Sequence, residues 1–297
     1  MKLSQIKLNN IKLIRDGEFE CLSQCTNKKP SKLLSFLEDI KFISNINANN
    51  SISCIICKQE HFQLIKNNEM GIIFSEQPKL TFFQIHNTLG CLNKNSLSYK
   101  TRVGKNCEIS SSANISLENV IIGDNVMIEE NVVIRENVNI GKNSIIRAGS
   151  IIGGQGYEFK REGESGILRV NHYGKVIIGD FVEIKEFCSI HRAVFDWDYT
   201  SIGNHSKLDS HTHIGHATKL GERVMIGSHS NLAGNINVND DVYIGPGVTI
   251  SNRLDIGKKG RISIGSVVTK DVLEGQTVTG NFAIPHNIFI QSLREKM

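Results

Sequence analysis

The chain has 297 residues, 39% hydrophobic and 22% charged, a composition that supports a sizeable globular core and excludes a disordered chain. Its 34 basic and 30 acidic side chains leave a net charge of +4 spread along the sequence, which argues against a dedicated nucleic-acid surface. No apolar run approaches the roughly 20 residues that span a bilayer. Lys2, Lys7, Lys12 and Asp16 break up the first apolar residues, so neither a signal peptide nor a transmembrane segment is expected. The chain reads as cytoplasmic.

In chain order, helix-like stretches lie at Lys32–Phe42, His61–Asn67 and Lys79–Leu89, with Ser31 a candidate N-cap and Pro78 a first-turn residue. Between them, Ile52–Cys57 and Gly71–Phe74 read as short buried strands. Residues 1–99 therefore read as a small α/β domain. Seven cysteines (21, 25, 54, 57, 91, 107, 188) make an odd number, which does not suit a disulfide framework. The spacings Cys21-x3-Cys25 and Cys54-x2-Cys57 could hold zinc, but Cys54 and Cys57 fall inside a strand-like run, and burial is the better reading.

Past residue 99 the pattern changes. Aliphatics recur every sixth residue at Ile122, Ile128, Ile134, Ile140, Ile146 and Ile152, then at Ile178, Ile184 and Ile190. The run then continues unbroken through twelve positions from Ile202 to Val268, and Val103, Ile109 and Ile115 extend it upstream with one residue slipped. Period six matches neither a helix face nor a strand alone. It matches a short strand plus a tight corner, three per coil, with one aliphatic per edge pointing inward. The fold class expected is therefore mainly β, a left-handed parallel β-helix of hexapeptide repeats over residues 100–279, behind the small α/β domain. Glycine after the inward aliphatic, as at Gly123, Gly141 and Gly203, is expected to serve the corners through positive φ or close approach.

Two interruptions break the period. Residues 153–177, opening with Gly153-Gly-Gln-Gly-Tyr-Glu-Phe159, are too long for a corner and must be extruded as a loop, the kind of segment that carries function on a rigid scaffold. Ala193 to Thr200 holds the single tryptophan, Trp197, and reads as a corner insertion that packs on a neighbouring subunit. The tail, residues 280–297, lacks the period and reads as one short helix.

Three stretches resemble the UDP-3-O-(3-hydroxyacyl)glucosamine N-acyltransferases of lipid A synthesis. They are Leu34-Ser-Phe-Leu-Glu-Asp-Ile-Lys-Phe42, the loop Gly153–Phe159 with its re-entry Gly174–Asp180, and Lys207-Leu-Asp-Ser-His-Thr-His-Ile-Gly-His216. The resemblance implies that Phe36 and Phe42 sandwich a base, with Asp39 where that family has asparagine, although both rings could instead be core residues of one helix. It also implies that Gly154, Gly156, Tyr157 and Arg253 contact substrate, that His216 is the catalytic base, and that the Gly234 N–H forms the oxyanion hole. Partners implied are a homotrimer, a nucleotide amino sugar, and an acyl carrier protein or CoA thioester as co-substrate, with no cofactor and no metal. Ser210 and Ala217 replace asparagines, Arg253 stands where the family has a second histidine, and the chain ends at Met297 without the family's extra C-terminal helices. A relative acting on another nucleotide amino sugar for surface polysaccharide would share this plan.

The chemistry expected is N-acylation. A neutral imidazole can take the proton of an amine, and an N–H can stabilise the tetrahedral oxygen. Asp209, seven residues before His216, is a candidate to orient the imidazole. Two alternatives use the same residues. One is a zinc hydrolyase resembling γ-class carbonic anhydrases, suggested by His211, His213, His216 and His229; the other is a catalytically silent sugar-nucleotide-binding scaffold.

Overall fold

Period six becomes structure as strands of two to four residues joined by tight corners. The computed structural model describes residues 1–27, 31–93, 98–163, 166–280, 283 and 285–296, without the side chains of 91–93, 289, 292, 293 and 296. Among the described residues the repeats form three parallel sheets of eight, nine and eight strands. The first face starts at Arg102–Val103, the second at Glu108–Ile109 and the third at Asn114–Ile115. Each inward aliphatic stacks on its counterpart one coil away: Ile122 on Ile140, Ile202 on Leu220, Ile214 on Leu232. From Ile122 to Ile262 these positions are essentially excluded from solvent. At the open end, Val103 is 50% and Ile109 36% exposed, because no coil lies beneath them.

A second inward column, two residues before each aliphatic, escapes the period. It holds Val120, Val126, Val132, Val138, Val176 and Val182, but also Ser144, Ser150, Thr200, Ser206, Thr212, Thr218 and Ser230, all buried. These hydroxyls are satisfied in the ladder itself: Ser144 Oγ donates to Gly179 O at 2.9 Å and accepts from Val182 N at 3.1 Å. Ser206 does the same with Gly221 O and Val224 N, each at 3.0 Å. A buried hydroxyl so paired avoids the penalty of an orphaned polar group.

The corners divide labour differently from the expectation. Positive φ recurs every six residues, but at Asn119, Asn125, Asn131, Asn137 and Asn143, then at Phe181, Phe187, His205, His211, Ala217, Arg223, His229 and Asn235. Gly123, Gly141 and Gly203 are not among these; their role is close approach, a Cβ on Gly123 falling 2.7 Å from Lys142 N in the next coil.

Two compact units are distinguished. One comprises Tyr99–Gly154, Lys175–Arg192 and Tyr199–Met297, the β-helix with its tail helix α3 (His286–Lys296). The other comprises Met1–Ser98 together with Gln155–Gly174 and Ala193–Asp198. Both interruptions of the repeat therefore join the N-terminal unit. The first contains an antiparallel hairpin, Phe159–Arg161 with Ile167–Arg169. The second is joined to it through Tyr173 N to Val194 O and Gly174 N to Ala193 O, both 3.0 Å. Trp197 donates from Nε1 to Leu22 O at 3.0 Å, within its own unit.

That unit is a mixed sheet ordered β1 (Lys12–Arg15), β5 (Gly71–Phe74), β4 (Ile52–Cys57), β3 (Leu33–Leu37) and β2 (Cys21–Leu22). Only the β1–β5 pair is antiparallel. One layer packs Leu34, Cys54, Ile56 and Ile73 with Phe82 and Phe83 of α2 (Pro78–Asn93) and with Val170, Val194 and Phe195 of the excursions. The opposite layer packs Leu33, Leu37, Ile55, Cys57 and Ile72 with Ile46 of α1 (Ile43–Ala48). Cys54 and Cys57 are buried in β4, and burial pushes each thiol up to about 11. The helix expected over Lys32–Phe42 is instead β3 followed by a 3-10 turn, Ile40–Phe42; His61–Asn67 is likewise a 3-10 turn, Gln59–Leu64. Both sides of β3 are covered, so Leu33, Leu34 and Leu37 do not alternate as a half-exposed strand would.

Candidate active site

His216 follows the third-face strand His213–Ile214 and stands one residue before Ala217, whose φ of 58° turns the chain onto the first face. One coil further, Gly234 occupies the same corner and is buried. A Cβ on Gly234 would lie 2.6 Å from His216 Nε2 and 2.7 Å from Cε1, so the imidazole rests directly across the glycine backbone. The ladder pins both residues: Asn235 N donates to His216 O at 2.8 Å, and Arg253 N donates to Gly234 O at 3.2 Å. Among the described residues the Gly234 N–H meets no backbone acceptor.

In the coil before His216 the same corner position is held by Arg192, two residues past Ile190 as His216 is two past Ile214. Arg192 is 2% exposed, a buried cation made tolerable by full pairing. Its guanidinium donates to Gly153 O at 2.7 Å and to Glu136 Oε1 and O at 2.8 Å each. Beside it, His191 ends the strand Ser189–His191, pairs with Gly154 on the adjacent strand, and touches His213 with ring centroids 4.6 Å apart. Burial, then the neighbouring His213 and His216, lowers His191 to about 4; burial also lowers His213. Both rings are therefore neutral near pH 7.

The structure thus brings His216, Gly234, Arg253 and Gly154 to one corner column. Asp209 does not join them. It precedes the third-face strand at the corner before it, where its Oδ1 accepts from Ser210 N at 2.8 Å, whereas His216 follows that strand. Gly156 and Tyr157 leave with the first excursion, Tyr157 being 88% exposed. In the N-terminal unit, Phe36 lies on β3 with its ring 4.9 Å from Phe82, half-buried, whereas Phe42 ends the 3-10 turn at 36% exposure. Asp39 caps that turn through Lys41 N at 3.0 Å, and the Lys41 side chain and backbone hold its carboxyl below the usual range. The two rings do not share a helix.

The histidines of the zinc alternative are likewise separated. His211 and His229 meet at the corner before the third-face strand, 4.7 Å between centroids and tilted by 30°, with Phe187 stacked on His211 at 5.3 Å. His213 lies on the face and His216 at the far corner. Among the described residues no cluster of three potential metal ligands forms. Sequence reasoning misses His191 and Arg192 because the six-residue insertion that follows them hides their register; aligning Ile190 with Ile214 places them beside His216.

The chain matches the bacterial transferase hexapeptide (six repeats) family over residues 119–154 and 217–252. It is 32% identical to a UDP-3-O-acylglucosamine N-acyltransferase of Campylobacter concisus over 44% of this chain and 40% of the relative. It is 27% identical to an acyl-[acyl-carrier-protein]–UDP-N-acetylglucosamine O-acyltransferase of Burkholderia mallei over 41% of this chain and 47% of that protein. Among solved structures, a UDP-N-acetylglucosamine acyltransferase from Bacteroides fragilis matches with a TM-score of 0.52 and 27% identity, over 58% of this chain and 64% of that one. The chain thus aligns with less than half the length of these curated relatives.

Proposed function

We propose that this protein is an acyltransferase that moves an acyl group from a thioester, carried on acyl carrier protein or CoA, to a UDP-linked glucosamine derivative, with the sugar amine as acceptor. The observation that carries the reading is the imidazole of His216 lying across the Gly234 backbone at one corner of the β-helix. The names of the relatives support the substrate class.

In this reading the amine nitrogen attacks the thioester carbon, the C–N bond forms and the C–S bond breaks, and the thiolate leaves. His216 takes the proton lost by the nitrogen, and the Gly234 N–H points at the oxygen that becomes anionic in the tetrahedral state. The thioester supplies its own leaving group, so no acyl-enzyme is needed. Neutral His191 and His213 place no cationic charge beside the imidazolium that forms. The N-terminal unit, through Phe42, takes the nucleotide base, and the working assembly is a homotrimer in the cytoplasm.

Mass spectrometry of products from acyl carrier protein or CoA thioesters with UDP-linked amino and hydroxy sugars tests the proposal. It predicts an amide on the amino sugar and free thiol. Transfer only to a hydroxyl would replace nitrogen with oxygen as the acceptor, and no transfer from any thioester would end the acyltransferase reading.

A further inference from the structure

His191 lies outside the catalytic pair, yet its surroundings are built. Its Nε2 is 3.1 Å from Ser189 Oγ on the same strand, and its ring meets that of His213 at 76°, edge to face. On the other side Gly154 gives it room, since a Cβ there would sit 3.3 Å from His191 Cδ2. Its main chain is held as well: His191 O accepts from Thr200 Oγ1 at 2.6 Å. An outward-facing histidine without a task would keep its ring in water. This one is half-buried, locked by a serine, and spends its edge on the histidine three residues before His216.

We propose that His191 is a positioning residue of the acyl-transfer site: held by Ser189, it fixes the ring of His213, which lines the approach of the acceptor sugar to His216. The inference rests on the acyl-transfer reading above. A ring fixed before substrate arrives loses less freedom on binding, so the benefit falls on acceptor affinity, with little effect on the chemical step.

The test is steady-state kinetics on the full chain with the UDP-linked amino sugar varied, for His191→Ala, Ser189→Ala, His213→Ala and the His191/His213 double variant, with His211→Ala as control. His213→Ala is expected to raise the acceptor KM about tenfold with kcat within about threefold. His191→Ala should raise KM by roughly three- to tenfold and Ser189→Ala by less, with His211→Ala unchanged. The double variant should be no worse than His213→Ala alone, because His191 acts through His213. Losses that multiply in the double variant, or a His191→Ala enzyme with parental KM, overturn the proposal. Ring-proton NMR of His213 supplies an arm independent of turnover: His191→Ala should shift its resonances, and unshifted resonances would mean that the two rings do not engage. If the parent transfers no acyl group while those resonances do shift, the ring contact stands and it is the acyl-transfer reading, with the role built on it, that has failed.

Discussion

In the β-helix the inward aliphatic of each repeat meets another aliphatic one coil away, so one rule repeated builds most of the core. The N-terminal unit has no such rule: its two layers draw on β3, β4, β5 and α2, and one of them also on segments far along the chain, past residue 154. Val170, Val194 and Phe195 complete that layer, and the Trp197 indole reaches back to Leu22. A solenoid therefore advertises its structure in any short window, whereas a layered domain spreads it over contacts that no window contains. The site on the β-helix follows the local rule too, since His216 and Gly234 are simply one coil apart.

That contrast can be broken most sharply in the helix core. Ile214→Ala, at a position fully excluded from solvent, should lower unfolding free energy by about 2–5 kcal/mol, while Val103→Ala at the half-exposed open end should cost under about 1 kcal/mol. Equal effects in urea titrations would contradict a core built by uniform stacking. Gly234→Ala separates site from scaffold. Its Cβ would strike the end of the His216 side chain, so turnover should fall about 10²–10³-fold with little change in melting temperature.

In the N-terminal unit the two phenylalanines should part company. Phe42→Ala should weaken nucleotide-sugar binding by about 1–3 kcal/mol and leave stability near parental, as expected for an exposed stacking ring. Phe36→Ala should chiefly lower stability, since its ring belongs to the Phe82 and Phe83 cluster. Calorimetric titration with scanning calorimetry on both variants checks the division.

The smallest effect is pH-dependent. His191 is held near 4 when folded and returns toward 6.5 when unfolded, so below about pH 6.5 the unfolded chain binds a proton that the folded one refuses. Stability should therefore fall as pH drops from 6.5 toward 4, by about 1 kcal/mol for this half-buried ring. His191→Phe should flatten that part of the urea-midpoint profile relative to parent, and an unchanged slope would mean the ring is solvated.

Much of this architecture is legible in the amino-acid sequence. The period locates the β-helix, and the ten residues ending at His216 lead to the candidate site, the corner shared with Gly234. The second inward column is not legible, because Ser144, Ser206 and Thr218 are polar and are reconciled with burial only by hydrogen bonds to neighbouring coils. Nor is β3, whose Leu33, Leu34 and Leu37 mimic helical spacing because both faces are covered. Seven residues is just over one face of the prism, so Asp209 and His216 fall at the two ends of the third face. His191 and Arg192 stay hidden because the insertion behind them breaks the count.

The most direct measurement is the single-turnover rate constant of His216→Ala beside His211→Ala, with thioester donor and UDP-linked amino sugar. His216→Ala should lose about 10²–10⁴-fold in the chemical step with substrate affinity nearly intact, while His211→Ala stays close to parental. A His216→Ala enzyme that turns over at the parental rate would contradict the assignment of His216 as the base.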